Sequence, residues 1–506
     1  MDPFLQLGAQ DEAAYTHGAI RMALQGDWLN PMLLGRYVFE KPPLLIWLSG
    51  ISMKILGIGS FTARLPAVLA GASILTICFA VGWGTRSAVA GAAAALLCLS
   101  NQLLFTMSRH NMTDIVLAAT TLIGLSALIR DPALTRRGPC VLFVLAIASG
   151  VLTKSIAGVL PAIAALVFAA AASRRPLTRL RRIALLTGAA LLLASPWFVY
   201  QMMVHRQWFE ADVYFQIIKV GVESSRSSMF GRIQFYLWRF LNAGPLTLLL
   251  SISALPALIN DSRRRDPVAL VLLCFLAVLT AALLCFRFES ETYLAPLIPV
   301  AIVIAAARSP LLARRSALPV CGLIVIAFIV KAAHPSQPWG ISYGRGSTVP
   351  ASAVLASYCE ERRGNVLYIL DVQDQFYALA LPLAHVRYGW LDPSGEIPKV
   401  RPHLAYLGIV QDAAATSQTG LYAARLRDWG LNNPEPLGTA ITGKSIQDLV
   451  ALVLGHPESD FLVSPALAAA LRDRQPHETH YYGTCCVLLQ SRVSHPAAPA
   501  GWTCRM

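Results

Sequence analysis

Along most of this chain apolar residues come in long unbroken runs and not in short alternating ones. Crossing about 30 Å of hydrocarbon takes roughly 20 residues of helix. Runs of about that length lie at about 62–84, 88–107, 113–129, 139–153, 156–173, 183–203, 244–260, 267–285, 291–307 and 317–333. The fourth is short, and only Thr153-Lys154-Ser155 parts it from the fifth. A single helix over 139–173 would strand Lys154 in lipid, so the pattern predicts two spans and ten in all. The stretch 44–58 is shorter and carries Lys54, which predicts an amphipathic helix lying in the interface. No apolar run follows Met1, so residues 1–61 do not read as a signal peptide.

From residue 334 the pattern changes. A Pro/Gly/Ser-rich linker, His334 to Pro350, leads to short strand-like runs at Val366–Leu370, His403–Val410, Phe461–Val463 and Cys486–Leu489. Helical patterns at 445–454 and 465–474 separate them, which predicts a small α/β domain. The expected architecture is a polytopic α-helical membrane protein with a C-terminal soluble α/β domain. Its parts are an outer-face segment with interfacial helices (1–61), a transmembrane domain (62–333) and an extracytoplasmic α/β domain (334–506).

Composition excludes the competing classes. Of 506 residues 55% are hydrophobic and 14% charged, with mean hydropathy +0.54, whereas soluble domains carry roughly 25% charged residues. Disorder needs low hydrophobicity and is excluded as well. The net charge of +14 would suit a nucleic-acid binder, but its distribution does not. Residues 1–333 hold 29 Lys/Arg against 14 Asp/Glu, and residues 334–506 hold 13 against 14. Alternating the spans puts Arg86, Arg130, Arg136, Arg137, the Arg174–Arg182 group, Arg263–Arg265, Arg308, Arg314 and Arg315 in short loops on one side. The positive-inside rule makes that side cytoplasmic. The outer side then receives residues 1–61, the turn at 108–112, Lys154, the loop 204–243, the turn at 286–290 and the tail.

Six cysteines fall in spans, where a thiol acts as a small apolar group. Cys359, Cys485, Cys486 and Cys504 fall in the outer domain, where a disulfide is chemically allowed but its pairing is not legible. No Cys/His spacing suggests zinc, and no P-loop or dinucleotide fingerprint occurs.

The outer side gathers the residues that could do chemistry: Asp11-Glu12-x-x-Tyr15, Glu40-Lys41-Pro42-Pro43, Arg109-His110-x-x-x-Asp114, Lys154, and Glu289-x-Glu291-x-Tyr293. Charges at membrane depth are costly and point to function. Each also has a plainer interpretation. Asp114 could cap its helix, Lys154 could snorkel, Lys41-Pro42-Pro43 could be a rigid turn, and Glu289 and Glu291 read as surface charges.

In combination these residues resemble the GT-C glycosyltransferases of the protein O-mannosyltransferase-like and lipid A aminoarabinose transferase families. The resemblance rests on Asp11-Glu12-Ala13-Ala14-Tyr15; Gly26-Asp27-Trp28; Phe39-Glu40-Lys41-Pro42-Pro43-Leu44 with Trp47; and Ala63-Arg64-Leu65-Pro66. Asp114, Leu152-Thr153-Lys154 and Tyr293-Leu294-Ala295-Pro296 extend it, over roughly residues 8–310. It implies an inverting transfer from a polyprenyl-phosphate-linked sugar to a lipid, glycan or protein acceptor, in a bacterial inner membrane with the active site outside. Asp11 would be the catalytic base, with Glu40 beside it, Asp114 the second acid and Glu12 a further catalytic residue. Lys41 and Tyr293 would contact the lipid phosphate, and Glu40, Tyr15, Arg109 and Lys154 would complete the substrate site. No cofactor is implied with certainty, and a divalent metal stays open. The chain departs from the family at Ala14, where Arg is frequent, and the family's first transmembrane helix would precede the Asp-Glu motif, where ten residues stand.

The alternative from another class is a membrane transporter or lipid flippase. That class favours mid-membrane charges and inverted repeats with broken helices, whereas the acids here stand at span ends and no repeat is visible. A catalytically silent binding protein on the same fold is the third reading, kept by Ala14.

Overall fold

The computed structural model describes residues 10–33, 36–172, 176–213, 228–286, 289–313 and 317–333, and from the C-terminal part 366–370, 387–388, 446–457, 460–463, 465–472, 477–482 and 486–492. The chain forms two compact units, one of residues 39–45 and 64–342, the other of 1–38, 46–63 and 343–506.

Every predicted span is helical among the described residues: α3 (Ser60–Thr85), α4 (Ala88–Ser100) continued by α5 (Gln102–Met107), α6 (Thr113–Arg130), α7 (Arg137–Lys154), α8 (Leu160–Ala172), α9 (Pro176–Val204), α12 (Pro245–Arg263), α13 (Pro267–Cys285), α14 (Leu297–Arg308) and α15 (Ala317–Ala333). Among the described residues seven helical stretches are long and apolar enough to cross a membrane, with 137–171 counted as one. Helix α2 (Leu44–Leu56) stands where the interfacial helix is expected.

In the helical unit α6 and α14 are the core, each 83% buried over its apolar window. Helix α6 packs on α7, α14 on α12 and α4, and α8 on α13 and α9. Helix α9 instead exposes Leu185, Leu192, Leu193 and Met203. Where the solvent is lipid, an outward apolar face costs nothing, and helix association depends on close packing. Glycines provide that closeness. A Cβ on Gly91 of α4 would stand 2.7 Å from the Phe79 carbonyl oxygen of α3.

Two details differ from the sequence pattern. The second apolar run breaks at Asn101, whose side-chain oxygen accepts the Leu104 N–H at 3.2 Å and starts α5. An asparagine side chain competes with the helical ladder in this way. The described residues of the loop 204–243 form two helices, α10 (Arg206–Val213) and α11 (Met229–Ala243). Helix α11 turns Tyr236, Phe240 and Ala243 inward and exposes Phe230, Ile233, Leu237 and Trp238. It is amphipathic, a pattern that a search for uniformly apolar runs passes over.

The loop cations also do structural work. Arg308 bridges Asp261 (2.8 Å) and Asp266 (2.5 Å), and the Arg86 guanidinium donates to the Ser309 carbonyl at 2.5 Å. Asp266 in turn caps α13 through the Val268 and Ala269 N–H groups.

The other unit holds α1 (Gln10–Gln25), which buries Glu12, Tyr15, Thr16, Ala19 and Ile20, and a short hairpin of β1 (Met32–Leu33) and β2 (Arg36–Tyr37). The Trp47 indole N–H donates to the Trp28 carbonyl at 2.5 Å, and Lys54 stands 5.6 Å from the centre of the Trp28 ring. The described residues of the C-terminal part form a five-stranded mixed sheet from β3 (Val366–Leu370), β4 (Arg387–Tyr388), β5 (Asp460–Val463), β6 (Glu478–Tyr482) and β7 (Cys486–Gln490), in the order β4-β3-β5-β7-β6. Strand β3 pairs parallel with β4 and β5, and β7 antiparallel with β5 and β6. Helices Ile446–Gly455 and Pro465–Leu471 cover it, burying Leu449, Val453 and Leu467 with Phe461, Val463, Val487 and Leu489. The expected strand at His403–Val410, the cysteines Cys359, Cys485 and Cys504 and the Cys486 side chain lie outside the described residues.

The reversal between α7 and α8 has the tightest contact. A Cβ on Gly158 would fall 2.1 Å from the backbone of Gly150 and Val151. Gly158→Ala is therefore expected to cost about 3 kcal/mol or more, since a backbone clash cannot be relieved by side-chain motion. Gly188→Ala on α9, with nothing within 4 Å, is expected to unfold at the wild-type temperature or slightly above it. Thermal unfolding of the two purified variants in detergent checks both.

Candidate active site

The cavity that concerns function lies wholly within the helical unit and has a volume of about 420 Å3. Its polar lining is Glu40, Lys41, Asp114, Lys154, Ser155 and Tyr293. The rest is apolar: Phe39, Phe198, Phe209, Leu279, Leu283, Phe286 and Leu297 with their neighbours. Charged groups and aliphatic surface thus share one enclosure.

Asp114 is the centre of the polar part. The residue capping α6 is Met112, which makes no side-chain cap bond, so Asp114 is not the cap. It stands in the first turn, where a carboxylate still complements the helix dipole. Its Oδ1 lies 2.5 Å from Lys154 Nζ, and the two side chains are 6% and 14% exposed. Lys154 therefore does not snorkel to water. It ends α7, points at the start of α6, and stands 4.5 Å from the centre of the Tyr293 ring. A cation on the face of a tyrosine is attracted by the ring quadrupole, more so when desolvated.

The turn that delivers Lys154 is strained. Ser155 has φ +44° and ψ −118°, a region that residues with a Cβ rarely adopt. Such a conformation costs of order 1–3 kcal/mol and persists only where packing over-determines it. Here the contact of Gly158 on Gly150 and the Lys154–Asp114 pair supply that packing.

Lys41 and Glu40 enter from the segment before α2, followed by buried Pro42 and Pro43. The backbone is pinned one residue earlier, where the Phe39 N–H donates to Asp212 Oδ2 at 2.5 Å. The Phe39 ring sits among Trp197, His205 and Phe209. Asp212 is fully buried. Nothing local in the sequence marks this role, since Asp212 stands 173 residues from its partner inside an apparent loop; its one signal is an acid close to Trp208 and Phe209.

Of the other expected site residues, Arg109 is exposed, stacks on the Phe105 ring at 5.4 Å and does not line the cavity. Glu291 pairs with Arg239 at 3.0 Å. Asp11, Glu12 and Tyr15 lie on α1 in the other unit. Glu12 and Tyr15 are buried, and the Asp11 side chain lies outside the described residues. Among the described residues no group of three or more His, Cys, Asp or Glu is placed to hold a metal ion.

Known structures share this fold. The crystal structure of ArnT from Cupriavidus metallidurans bound to undecaprenyl phosphate aligns over 96% of this chain and 95% of its own, with TM-score 0.70 and 17% identity. The apo form aligns with TM-score 0.67 over 95% and 93%, also at 17% identity. This chain has the GT-C fold. Residues 40–200 match the family described as dolichyl-phosphate-mannose-protein mannosyltransferase. That match covers Glu40, Lys41, Asp114 and Lys154. Among relatives, the undecaprenyl phosphate-alpha-4-amino-4-deoxy-L-arabinose arabinosyl transferase of Aeromonas salmonicida is 27% identical over 322 residues, 60% of this chain and 57% of that one. A transferase of the same description from Sodalis glossinidius is 33% identical over 162 residues, 31% of this chain and 29% of its own. The chain thus spans between about a third and three fifths of the length of these relatives.

Chemically, the cavity offers two lysines in an otherwise largely apolar lining. Removing one member of a buried ion pair leaves the other uncompensated, at about 3–5 kcal/mol, while replacing both can be nearly neutral. Lys154→Met is expected to destabilise the protein by that amount and Asp114→Asn/Lys154→Met by clearly less. Unfolding of the single and double variants in one detergent checks this.

Proposed function

We propose that this protein is an inverting glycosyltransferase that takes a sugar from a polyprenyl-phosphate donor and delivers it to a lipid, glycan or protein acceptor at the extracytoplasmic face of a bacterial inner membrane. The observation that carries the reading is the cavity, whose lining joins Lys41, Lys154, Asp114 and Tyr293 to aliphatic and aromatic surface. A polyprenyl phosphate likewise joins an anion to hydrocarbon. Supporting it are the family match over residues 40–200 and relatives whose described donor is undecaprenyl phosphate-alpha-4-amino-4-deoxy-L-arabinose, which makes an aminopentose the first sugar to try. The basic loops support the orientation, with residues 1–61 and 334–506 outside.

In this reading the acceptor hydroxyl attacks the anomeric carbon as the bond from that carbon to the phosphate oxygen breaks. The lipid phosphate leaves as an anion, where a fixed cation such as Lys41 and the Tyr293 hydroxyl help most because charge develops there. A carboxylate receives the acceptor's proton. By the family resemblance that base is Asp11, Glu12 is a further catalytic residue, and Asp114, paired with Lys154, is the second acid.

The test uses purified full-length protein with undecaprenyl-phosphate aminoarabinose carrying a labelled sugar. Transfer of label to lipid A or another acceptor supports the reading. Label that crosses the bilayer on its original lipid, with no transfer, overturns it in favour of a flippase. Asp11→Asn is expected to reduce turnover at least about a hundredfold with expression unchanged. Lys41→Ala is expected to raise the donor KM about tenfold and leave the acceptor KM alone; an equal effect on both would make Lys41 structural.

A further inference from the structure

The pair Glu289-x-Glu291 beside Tyr293 is absorbed neither by the cavity nor by the chemistry above. Tyr293 sits in a 3-10 turn, Glu291–Leu294, between α13 and α14. Its ring meets Lys154 on one side and Phe286 edge-on at 5.6 Å on the other. Helix α11 packs on that turn. Arg239 Nη1 of α11 lies 3.0 Å from Glu291 Oε2, with its guanidinium 5.3 Å from the centre of the Phe235 ring one turn earlier. Seven residues before it, Arg232 Nε donates to the Leu284 carbonyl at 3.0 Å, where α13 has no intrahelical donor left for its last carbonyls. One helix face therefore grips the end of α13 and the start of the turn that carries Tyr293.

We propose that Arg239 and Glu291 are positioning residues that hold Tyr293 in the cavity for the donor's phosphate. The pair does two things there. It fixes the backbone two residues before Tyr293, so that the ring stays on Lys154. It also engages a carboxylate close to the phosphate site that would otherwise repel a phosphate anion. Arg239 is 38% exposed and Glu291 22%, and a pair this open to solvent contributes little to global stability. Its effect is on local geometry, where a shift of about 1 Å is worth up to about a hundredfold. The consequence for the donor rests on the function proposed above, whereas the hold of α11 on the turn rests on contacts within the protein.

The experiment compares full-length wild type, Arg239→Gln, Glu291→Gln and the charge-reversed double variant Arg239→Glu/Glu291→Arg in nanodiscs. Two quantities are read: hydrogen exchange of the Tyr293 and Ala295 amides, which bond to the Ser290 and Thr292 carbonyls at 3.1 and 3.0 Å, and affinity for undecaprenyl phosphate. Each single variant is expected to exchange these amides about tenfold faster and bind the lipid about tenfold more weakly, at an unchanged melting temperature, and the double variant to recover both. Unchanged exchange in the single variants, or a double variant no better than they are, overturns the proposal. If exchange responds as expected while even wild type binds no undecaprenyl phosphate, the positioning of Tyr293 stands and the donor reading fails.

Discussion

An ion pair between Asp114 and Lys154 is what the cavity is built around. Neither group could stand alone at that depth, because removing an ion from water costs several kcal/mol even after relaxation. At 2.5 Å, with both side chains nearly buried, each is the condition for the other. The pair ties the first turn of α6 to the last residue of α7, and it places a cation on the Tyr293 ring, so two helices and the turn before α14 meet at one contact.

The strain at Ser155 follows from this arrangement. A lysine that must reach the start of α6 from the end of α7 leaves the chain no room to turn gently. The reversal is made with a non-glycine residue at φ +44° and a glycine, Gly158, packed directly on the Gly150–Val151 backbone. Strain of this kind beside a polar cavity is characteristic of sites where geometry is held for a purpose. The segment carrying Lys41 is treated similarly, through the buried Asp212 on the Phe39 N–H. Its two prolines have fixed φ and lose little entropy on ordering.

The membrane helices were legible because lipid imposes a rule that acts on each segment separately: a spanning helix must be long and apolar, whatever its neighbours are. Helix α11 was not legible for the converse reason, since an amphipathic segment among Arg232, Arg239 and Asn242 looks like loop when only apolar length is counted. The break at Asn101 is a local competition between one side chain and the helical ladder, too small to register in a 20-residue run. Among the chemical groups, Asp114, Lys154 and Tyr293 could be picked out as polar residues at span ends, and Lys41 by its Glu-Lys-Pro-Pro setting before the interfacial stretch. Arg109 has the same sequence character, yet it lies exposed on Phe105 and outside the cavity.

By itself the sequence located the apolar helical stretches, grouped the basic residues into short loops between them, and picked out a short list of charges worth watching. These follow from transfer energies that each segment meets alone. Only the tertiary structure decided partnership: Asp114 with Lys154 forty residues on rather than with its own helix cap, Glu291 with Arg239 rather than with water, Asp212 with the Phe39 backbone. Such pairings depend on which helices pack side by side, and packing is set by close fits such as Gly158 on Gly150 that no local pattern of polarity records.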